Sequence, residues 1–303
     1  MTPTQPPREP SPILLAPLFS SLLDLLHELG DGLPPLTIGG GFGLYLKRRY
    51  LQQTGGKTLI DPARWPRERS TNDLDLLLRA EIVADKNRFD AIADALDRLG
   101  YVAVQDAKYM QFVRTIRVGE QEAEVKVDLL VGPFEPFRHL LQVKPPRVRP
   151  KGGKKGRLHA HETPEAVGVE EEPVSIPVCG RRSTGEEYEG QVCLPQAFSY
   201  ALMKLFAFRD RKDDPDPKKD KGRHHALDLY AVVAMTTEPE YEFARKTRVR
   251  YADNEKVREA GEIVRRDFAG PESIGVLRMR EHILYNAVMD VDTFLGVLRE
   301  IFA

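Results

Sequence analysis

Cysteine is scarce in this chain: its 303 residues include only two, Cys179 and Cys193. Two thiols do not form a disulfide framework of the kind that small secreted proteins use, and two alone do not make a zinc site. No stretch reaches the ~18 consecutive apolar residues that indicate a membrane-spanning helix. Residues 1–12 form a polar, proline-rich tail without the apolar core of a secretory signal. We therefore expect a disordered tail, reduced thiols and a cytoplasmic protein with no membrane partner.

The chain also lacks a surplus of charge, because 45 Lys and Arg residues face 46 Asp and Glu residues. A formal net charge of −1 is no evidence of nucleic-acid binding, so any basic patch must be local. Three such groups stand out, Lys47-Arg48-Arg49, the segment 151–157, and Lys218-Lys219 with Lys221. They are either contacts for an RNA phosphate backbone or ordinary solvated faces. No Walker loop or Gly-x-Ser-x-Gly motif is present, so ATPase and hydrolase functions have no support.

The order of elements predicts an α/β part followed by a helical part. Apolar residues make up 41% of the chain, which is enough for a proper core. Short strand patterns alternate with helical periodicity over residues 13–194, which predicts one α/β domain. Within it, residues 145–190 are rich in Pro, Gly and charge and predict a loop-rich excursion with short strands around Val174 to Val178 and Gly190 to Leu194. Residues 195–303 show helical patterns only and predict a second, helical domain.

A glycine turn follows the first strand pattern. Leu36-Thr37-Ile38 reads as a strand, Gly39-Gly40-Gly41 follows it, and residues 42–52 return to a helical pattern. Glycine lets a phosphate approach the backbone closely, and the helix N-terminus offers unpaired N–H groups to its charge. A tight strand-to-helix turn with no ligand explains the same residues equally well.

Two carboxylates, Asp73 and Asp75, alternate with leucines in the next strand pattern. Residues i and i+2 of a strand point to the same face, so the two carboxylates stand side by side. Such anions repel each other unless something positive lies between them, and Mg²⁺ with oxygen ligands is a natural partner. A plain solvated strand face is the alternative.

A third acid, Asp128, lies among apolar residues in a later strand pattern, Val125 to Leu129. An acid in such a place is costly unless it is paired or binds metal. A neighbouring strand could therefore place it beside Asp73 and Asp75, where three carboxylates around two metals would suit nucleotidyl transfer. An edge-strand aspartate that faces water is the alternative.

The helical half contains one charged residue in an apolar run, Lys204, with Leu202, Met203, Leu205 and Phe206 around it. A buried ammonium needs an anion, which a triphosphate would supply. Lys204 shares a helix face with Arg211 by the three-and-four rule. Asp228, between Leu227 and Leu229, could hold Lys204 or another basic group in place. A lysine that extends to solvent from a surface helix is the alternative.

The order of these motifs resembles the nucleotidyltransferases of the polymerase-β-like superfamily, in which Gly-Gly and a helix precede Asp-x-Asp. Arg69-Ser70-Thr71-Asn72-Asp73-Leu74-Asp75 and the later Lys204, Arg209, Arg211 and Asp228 are similar to one branch, the AbiEii/MenT-like toxins. The resemblance implies a nucleotidyltransferase fold followed by a helical domain. It implies metal ligation by Asp73, Asp75 and Asp128, and catalytic roles for these three residues with Lys204 and Asp228. It implies nucleotide contacts from Gly39, Gly40, Ser70, Lys204, Arg209 and Arg211.

The same resemblance implies a function. An enzyme of this kind uses Mg²⁺, or Mn²⁺, to move a nucleoside monophosphate from an NTP to an acceptor. For the toxin branch the implied acceptor is tRNA, and a cognate antitoxin neutralises the effect on growth. Small-molecule nucleotidyltransferases that modify aminoglycosides share the same signature and remain an alternative. A catalytically silent binding module on the same fold is a second alternative.

Overall fold

The structure is a computed structural model that describes residues 15–69, 71–107, 109–152, 157–216 and 219–303. The predicted tail, residues 1–12, lies outside these ranges. The chain divides into two compact units, one that contains the β-sheet and one that contains most of the helices. The sheet unit comprises 1–43, 70–163 and 173–194, and the helical unit comprises 44–69, 164–172 and 195–303.

The sheet unit contains one mixed sheet with helices beside it, and the sequence patterns predicted an α/β domain here. Its ten strands in the described residues are β1 (Thr37–Ile38), β2 (Asp73–Leu78), β3 (Val102–Ala103), β4 (Gln111–Val118), β5 (Gln121–Val131), β6 (Leu141–Lys144), β7 (Arg147–Pro150), β8 (Ala160–Glu162), β9 (Val174–Arg181) and β10 (Glu187–Leu194). The main order is β6-β7-β8-β5-β2-β1-β10-β9, with β4 on β5 and β3 on β4. Strand β5 runs parallel to β2 and to β8, and β1 runs parallel to β10.

Three helices accompany the sheet in this unit: α1 (Ala16–Leu29), α3 (Ala80–Ala84) and α4 (Lys86–Arg98). Helix α1 packs on β4, β5, β9 and β10 and against α4. Its leucines are the reason, since Leu22, Leu23 and Leu25 are fully buried. Helix α4 begins where the Asp85 side chain accepts hydrogen bonds from the backbone of Asn87 and Arg88, a usual N-cap.

The segment 145–190 differs from the loop-rich excursion that its composition predicts. Strands β7, β8 and β9 and the start of β10 lie in it, and all belong to the sheet. Strand β9 pairs with β10 along its whole length, from Val174 opposite Leu194 to Arg181 opposite Glu187. Strand β9 and the end of β10 coincide with the short strands predicted around Val174 to Val178 and Gly190 to Leu194. Strands β7 and β8 were not predicted, because they are short and lie among Pro, Gly and charged residues that give no alternating pattern.

The helical unit contains six helices: α5 (Ala197–Arg211), α6 (Arg223–Ala234), α7 (Glu238–Arg250), α8 (Glu255–Asp267), α9 (Ile274–Arg280) and α10 (Val291–Phe302). Helix α2 (Gly40–Thr54) begins in the sheet unit, and its residues from Leu44 onward belong to the helical unit. The core is aromatic, with Phe198, Phe208, Phe268 and Phe294 fully buried. No described helix has the length and hydrophobicity needed to span a membrane.

The division of the chain agrees with the sequence at residue 195 and differs from it earlier. Residues 44–69 belong to the helical unit, although their position in the chain assigns them to the α/β part. Leu44, Leu51, Ile60 and Trp65 supply the reason, because these buried side chains belong to the same apolar core as α5 and α6. The indole N–H of Trp65 donates to the carbonyl of Ile60 at 3.0 Å, which satisfies its polar atom inside that core.

Candidate functional site

The glycine turn is built around the neighbouring Asp75. The amide of Gly39 donates to the carbonyl of Asp75 at 2.8 Å, which extends the β1–β2 ladder by one residue. Helix α2 then begins at Gly40, which has a φ of +61°. A Cβ at position 40 would lie 1.6 Å from Oδ2 of Asp75. Residue 40 must therefore be glycine for two reasons, a left-handed backbone and a carboxylate in the space of a side chain.

Asp73, Asp75 and Asp128 lie on one face of the sheet. In β2, Asp73 and Asp75 are half-buried, whereas Leu74 and Leu76 between them are buried on the opposite face. Strand β5 runs parallel beside β2, and its register places Asp128 directly opposite Asp75. Alternation along β5 puts Val127 and Leu129 in the core and Asp128 on the same face as the two other acids.

Gln111 holds the third carboxylate and is a residue that sequence reasoning missed. Its amide nitrogen donates to Oδ1 of Asp128 at 2.6 Å, and the β4–β5 register places the two residues opposite each other. Burial raises the pKa of Asp128, and the charge of Asp73 raises it further, while the Gln111 hydrogen bond and Lys126 oppose the rise. A glutamine has no local sequence signal for such a role, because the contact depends on strand register.

The side chains on this face are of the chemical type that binds a divalent cation. Three carboxylates gather on the face, and only Lys126, opposite Asp73 in the register, supplies a positive charge among the paired residues of β2 and β5. Hard oxygen donors of this kind are those that Mg²⁺ and Mn²⁺ prefer. Among the described residues, no group of three His, Cys, Asp or Glu side chains already converges on a metal position. The donor chemistry therefore fits the metal, and the described side chains do not form a closed metal cage.

A second cluster of sequence-predicted residues lies in the helical unit. Nζ of Lys204 in α5 lies 2.7 Å from Oδ2 of Asp228 in α6, and both side chains are buried. Arg69 contacts the same carboxylate with two nitrogens, at 3.2 Å and 3.4 Å. Lys204 is thus a buried, paired cation and does not extend to solvent as a surface lysine would. Sequence reasoning placed Asp228 beside Lys204 correctly and missed Arg69, whose only signal was its place in the Arg-x-x-x-Asp-x-Asp motif.

The electrostatics of this cluster leave it with a surplus of positive charge. Burial alone would raise the pKa of Asp228, but the charges of Lys204 and Arg69 outweigh it and hold the pKa well below its usual range. Two cations therefore share one carboxylate. Nearby, burial and the charge of Lys204 lower the pKa of His225 to about 2, so this histidine adds no charge at neutral pH. A cluster with one uncompensated cation is suited to a nearby anion.

The remaining predicted nucleotide contacts differ in their surroundings. Arg209 and Arg211 lie in α5, which extends to Arg211 and also contains Lys204. Arg209 stacks on Phe206, with 4.4 Å between its guanidinium and the ring centre, and pairs with Glu259. Arg211 is exposed at the end of the helix. Ser70 lies outside the described residues.

Two residues of the first basic group, Lys47 and Arg48, are buried or half-buried. Lys47 is buried and pairs with Glu240 at 2.7 Å, so it is not a contact for an RNA backbone. Arg48 lies over the ring of Trp65 at 5.4 Å and is also half-buried. The segment 151–157 and the group around Lys218 include residues outside the described ranges, 153–156 and 217–218.

Comparison with known proteins adds no relative. No model of a known protein family matches the chain, and a search of curated proteins finds no significant match. The resemblance of the motifs is therefore one of pattern, and function must be argued from the two clusters themselves.

Proposed function

We propose that this protein is a metal-dependent nucleotidyltransferase that moves a nucleoside monophosphate from an NTP to an acceptor. One observation carries the proposal: the carboxylate of Asp75 lies against Gly40 at the start of α2, with Asp73 and Asp128 on the same sheet face. A Gly-Gly turn followed by Asp-x-Asp on the next strand is the signature of the polymerase-β-like superfamily. Its nucleotidyltransferase fold, a mixed sheet with flanking helices followed by a helical domain, is part of the proposal.

The glycine turn and the carboxylates beside it would contact the NTP in this proposal. Gly40 admits the carboxylate of Asp75 at the N-terminus of α2, where the helix dipole favours a negative charge. Because Gly39 and Gly40 carry no side chains, phosphate oxygens of the nucleotide would be able to approach the backbone of this turn. Gln111 keeps one oxygen of Asp128 occupied, so the other oxygen is left to face a ligand.

Asp73, Asp75 and Asp128 would hold the Mg²⁺ or Mn²⁺ ions that the reaction needs. When bound, the metal activates an acceptor hydroxyl and stabilises charge on the reacting phosphate. In the transfer, the acceptor hydroxyl would lose its proton to solvent, its oxygen would form a bond to the α-phosphorus, and the bond from that phosphorus to the leaving pyrophosphate would break. Burial raises the pKa of Asp128 and the charge of Asp73 raises it further, and a bound cation would act against both effects.

The acceptor in this proposal is tRNA, and the biological role is that of a toxin with a cognate antitoxin. The support is the second set of motifs, Lys204, Arg209, Arg211 and Asp228, in the order of the AbiEii/MenT-like branch. The surplus cation of the Lys204–Arg69–Asp228 cluster is consistent with an anionic substrate.

The decisive experiment incubates purified protein with Mg²⁺, total tRNA and each NTP in turn, labelled in the α-phosphate. The control is the double variant Asp73→Ala/Asp75→Ala, with circular dichroism to check that it folds. We expect label on tRNA with one NTP, and none with the variant. Absence of label from every RNA, with a folded protein, would contradict the tRNA acceptor and favour a small-molecule or protein acceptor.

Expression in cells separates the toxin from its two alternatives. We expect induction of the wild-type chain to slow growth and induction of Asp73→Ala/Asp75→Ala at the same level to leave growth unchanged. An aminoglycoside-modifying enzyme would leave growth unchanged in both cases and would raise drug resistance with the wild type alone. A silent binding module would show no dependence on the carboxylates in any of these assays.

A further inference from the structure

Three arginines surround one depression on the helical unit. The depression has a volume of about 200 Å³ and is lined by Arg248, Arg258 and Arg265 with Ala252, Val257, Glu262 and Phe302. Arg258, Glu262 and Arg265 follow each other at spacings of four and three in α8, so they share one helix face. Arg248 comes from the last turn of α7. With one glutamate among three guanidinium groups, the lining has a net charge of +2.

The floor of the depression is rigid and apolar. Val257 and Phe302 are only 3% and 2% exposed, so the floor offers no aromatic face on which a base could stack. The close approach of α8 and α10 requires Gly261, because a Cβ there would lie 2.4 Å from the carbonyl oxygen of Phe302. The arginines therefore project from two helices whose positions are set by a packed core.

Among the described residues, most arginines of the helical unit pair with a carboxylate, and these three do not. Ten arginines of the helical unit lie within ion-pair distance of an acid, namely Arg48, Arg64, Arg69, Arg209, Arg223, Arg245, Arg250, Arg266, Arg278 and Arg280. Within the described part of the chain, Arg248, Arg258 and Arg265 form no such pair and line the same depression. Three guanidinium groups that line one depression with a single glutamate, itself unpaired among the described residues, leave a net positive charge available to an external anion.

We propose that this depression binds the phosphate backbone of an RNA. Arg258 and Arg265 are seven residues apart, which separates them by roughly 10 Å along the helix axis. A chain of phosphates spans that distance, whereas a single small anion reaches one arginine of the pair. The lack of an exposed aromatic in the lining makes the contact one of charge, independent of base sequence. The site extends the proposed function, since it would hold the tRNA acceptor, and it does not depend on the carboxylates of the sheet unit.

The test measures binding of fluorescently labelled tRNA by anisotropy over a range of salt concentrations. The test variant is Arg248→Gln/Arg258→Gln/Arg265→Gln. The matched control is Arg64→Gln/Arg278→Gln/Arg280→Gln, which removes three charges from arginines that already hold an acid. Both variants are checked for the wild-type melting temperature, and a second sequence of RNA tests independence from base identity.

We expect the test variant to bind tRNA about tenfold or more weakly than wild type. The slope of log K against log salt should be smaller in magnitude by roughly 2, and the control variant should stay close to wild type in both measurements. Glu262→Gln removes the one acid of the lining and is expected to tighten binding about twofold to threefold. Equal effects of the test and control variants, or no effect of Glu262→Gln, would overturn the proposal.

A second arm distinguishes RNA from a small phosphate ligand, which shares the same chemistry. Inorganic phosphate or an NTP at the concentration of the tRNA phosphates should not compete with tRNA at this site. Competition that the triple arginine variant abolishes would show a small-anion site and overturn the RNA assignment.

Failure of the enzyme proposal would remain visible as a separate result. Asp73→Asn/Asp75→Asn should bind tRNA with wild-type affinity and salt dependence. Arginine-dependent binding without any nucleotidyl transfer would leave the depression as an RNA site and remove the proposed activity. Transfer to tRNA that is equally efficient in the triple arginine variant at low RNA concentration would remove the depression and keep the activity.

Discussion

The carboxylate of Asp75 occupies the space that a side chain of residue 40 would need, with Oδ2 only 1.6 Å from the position of a Cβ on Gly40. The two residues are 35 positions apart in the chain, and the antiparallel β1–β2 pair brings them together. This contact links the glycine turn to the Asp-x-Asp strand. It explains why the turn is glycine without any appeal to a ligand, and it sets the position of one carboxylate relative to the start of α2.

We predict that Gly40→Ala is far more damaging than Gly30→Ala. Both glycines have positive φ, +61° and +55°, but a Cβ at position 30 meets nothing within 4 Å. Gly30→Ala should cost only the backbone strain of its φ of +55° and ψ of −154°, roughly 1–3 kcal/mol, whereas Gly40→Ala adds the collision with Asp75 and should cost roughly 1–3 kcal/mol more. Urea unfolding measures both, and equal costs would contradict the contact. In the transfer assay, Gly40→Ala should be inactive and Gly30→Ala active.

Divalent metal should stabilise the wild-type protein through Asp75. We expect millimolar Mg²⁺ or Mn²⁺ to raise the melting temperature. At a free metal concentration of a hundred times the dissociation constant, binding should add about 2.7 kcal/mol to the free energy of unfolding. Asp75→Asn should remove this response. Asp106→Asn, at an exposed position, is the control and should respond as wild type. A response that survives in Asp75→Asn would locate the metal elsewhere.

Removing the carboxylate of Asp228 should unfold the helical unit at lower urea than wild type. Asp228→Leu leaves Lys204, only 7% exposed, as an unpaired buried cation, at a cost of roughly 3–5 kcal/mol. The double variant Lys204→Met/Asp228→Leu removes both charges and should recover most of that loss. If the double variant is as unstable as the single one, the pair stabilises the helical unit through its packing and not through its charges.

The same pair should make stability depend on pH in the acid range. The folded-state pKa of Asp228 is held below the unfolded value, about 3.9 for an aspartate. Its contribution to the free energy of unfolding is therefore complete above that unfolded pKa and is lost as pH falls towards the folded one. Between pH 5 and pH 3 the wild type should lose more stability than Lys204→Met/Asp228→Leu. Parallel losses in the two proteins would show that Asp228 does not contribute.

A buried acid in α1 should be important for the stability of the sheet unit. Asp24 is 1% exposed and accepts hydrogen bonds from Arg114 at 2.8 Å and from the Ser183 backbone at 3.1 Å. Asp24→Ala leaves the Arg114 guanidinium, 12% exposed, without a carboxylate and with only the Ser183 hydroxyl as side-chain hydrogen-bond partner among the described residues, which should cost roughly 3 kcal/mol. Asp31→Ala, at an exposed position just after the same helix, should change the free energy of unfolding by less than about 0.5 kcal/mol. A cost below 1 kcal/mol for Asp24→Ala would mean that Arg114 finds another partner.

Some features of the candidate site could be read directly from residue order. Alternation of acids and leucines in β2 placed Asp73 and Asp75 on one face, because side chains of a strand alternate by geometry alone. A lysine inside an apolar helical run required a buried anion, and Asp228 in the next helix supplies it. These inferences succeeded because each depends on local periodicity or on the cost of an unpaired buried charge.

Other features depended on pairing between distant segments. The place of Gln111 on Asp128 follows from the β4–β5 register, and a shift of one residue would turn either side chain to the other face. Arg69 on Asp228 joins residues 159 positions apart. Lys47 belongs to a basic run in the sequence, but it is buried against Glu240, a distant residue, and so contributes no charge to the surface.

The sequence by itself determined the class of the fold, the side of the strand on which the carboxylates stand and the need for a partner at Lys204, because spacing and burial cost act within a few residues. Only the tertiary structure decided that Asp128 lies opposite Asp75, that residues 44–69 join the helical core and that Arg248, Arg258 and Arg265 line one depression. Register and helix packing are set by the total apolar surface that the folded chain buries, and no short stretch of sequence carries that information.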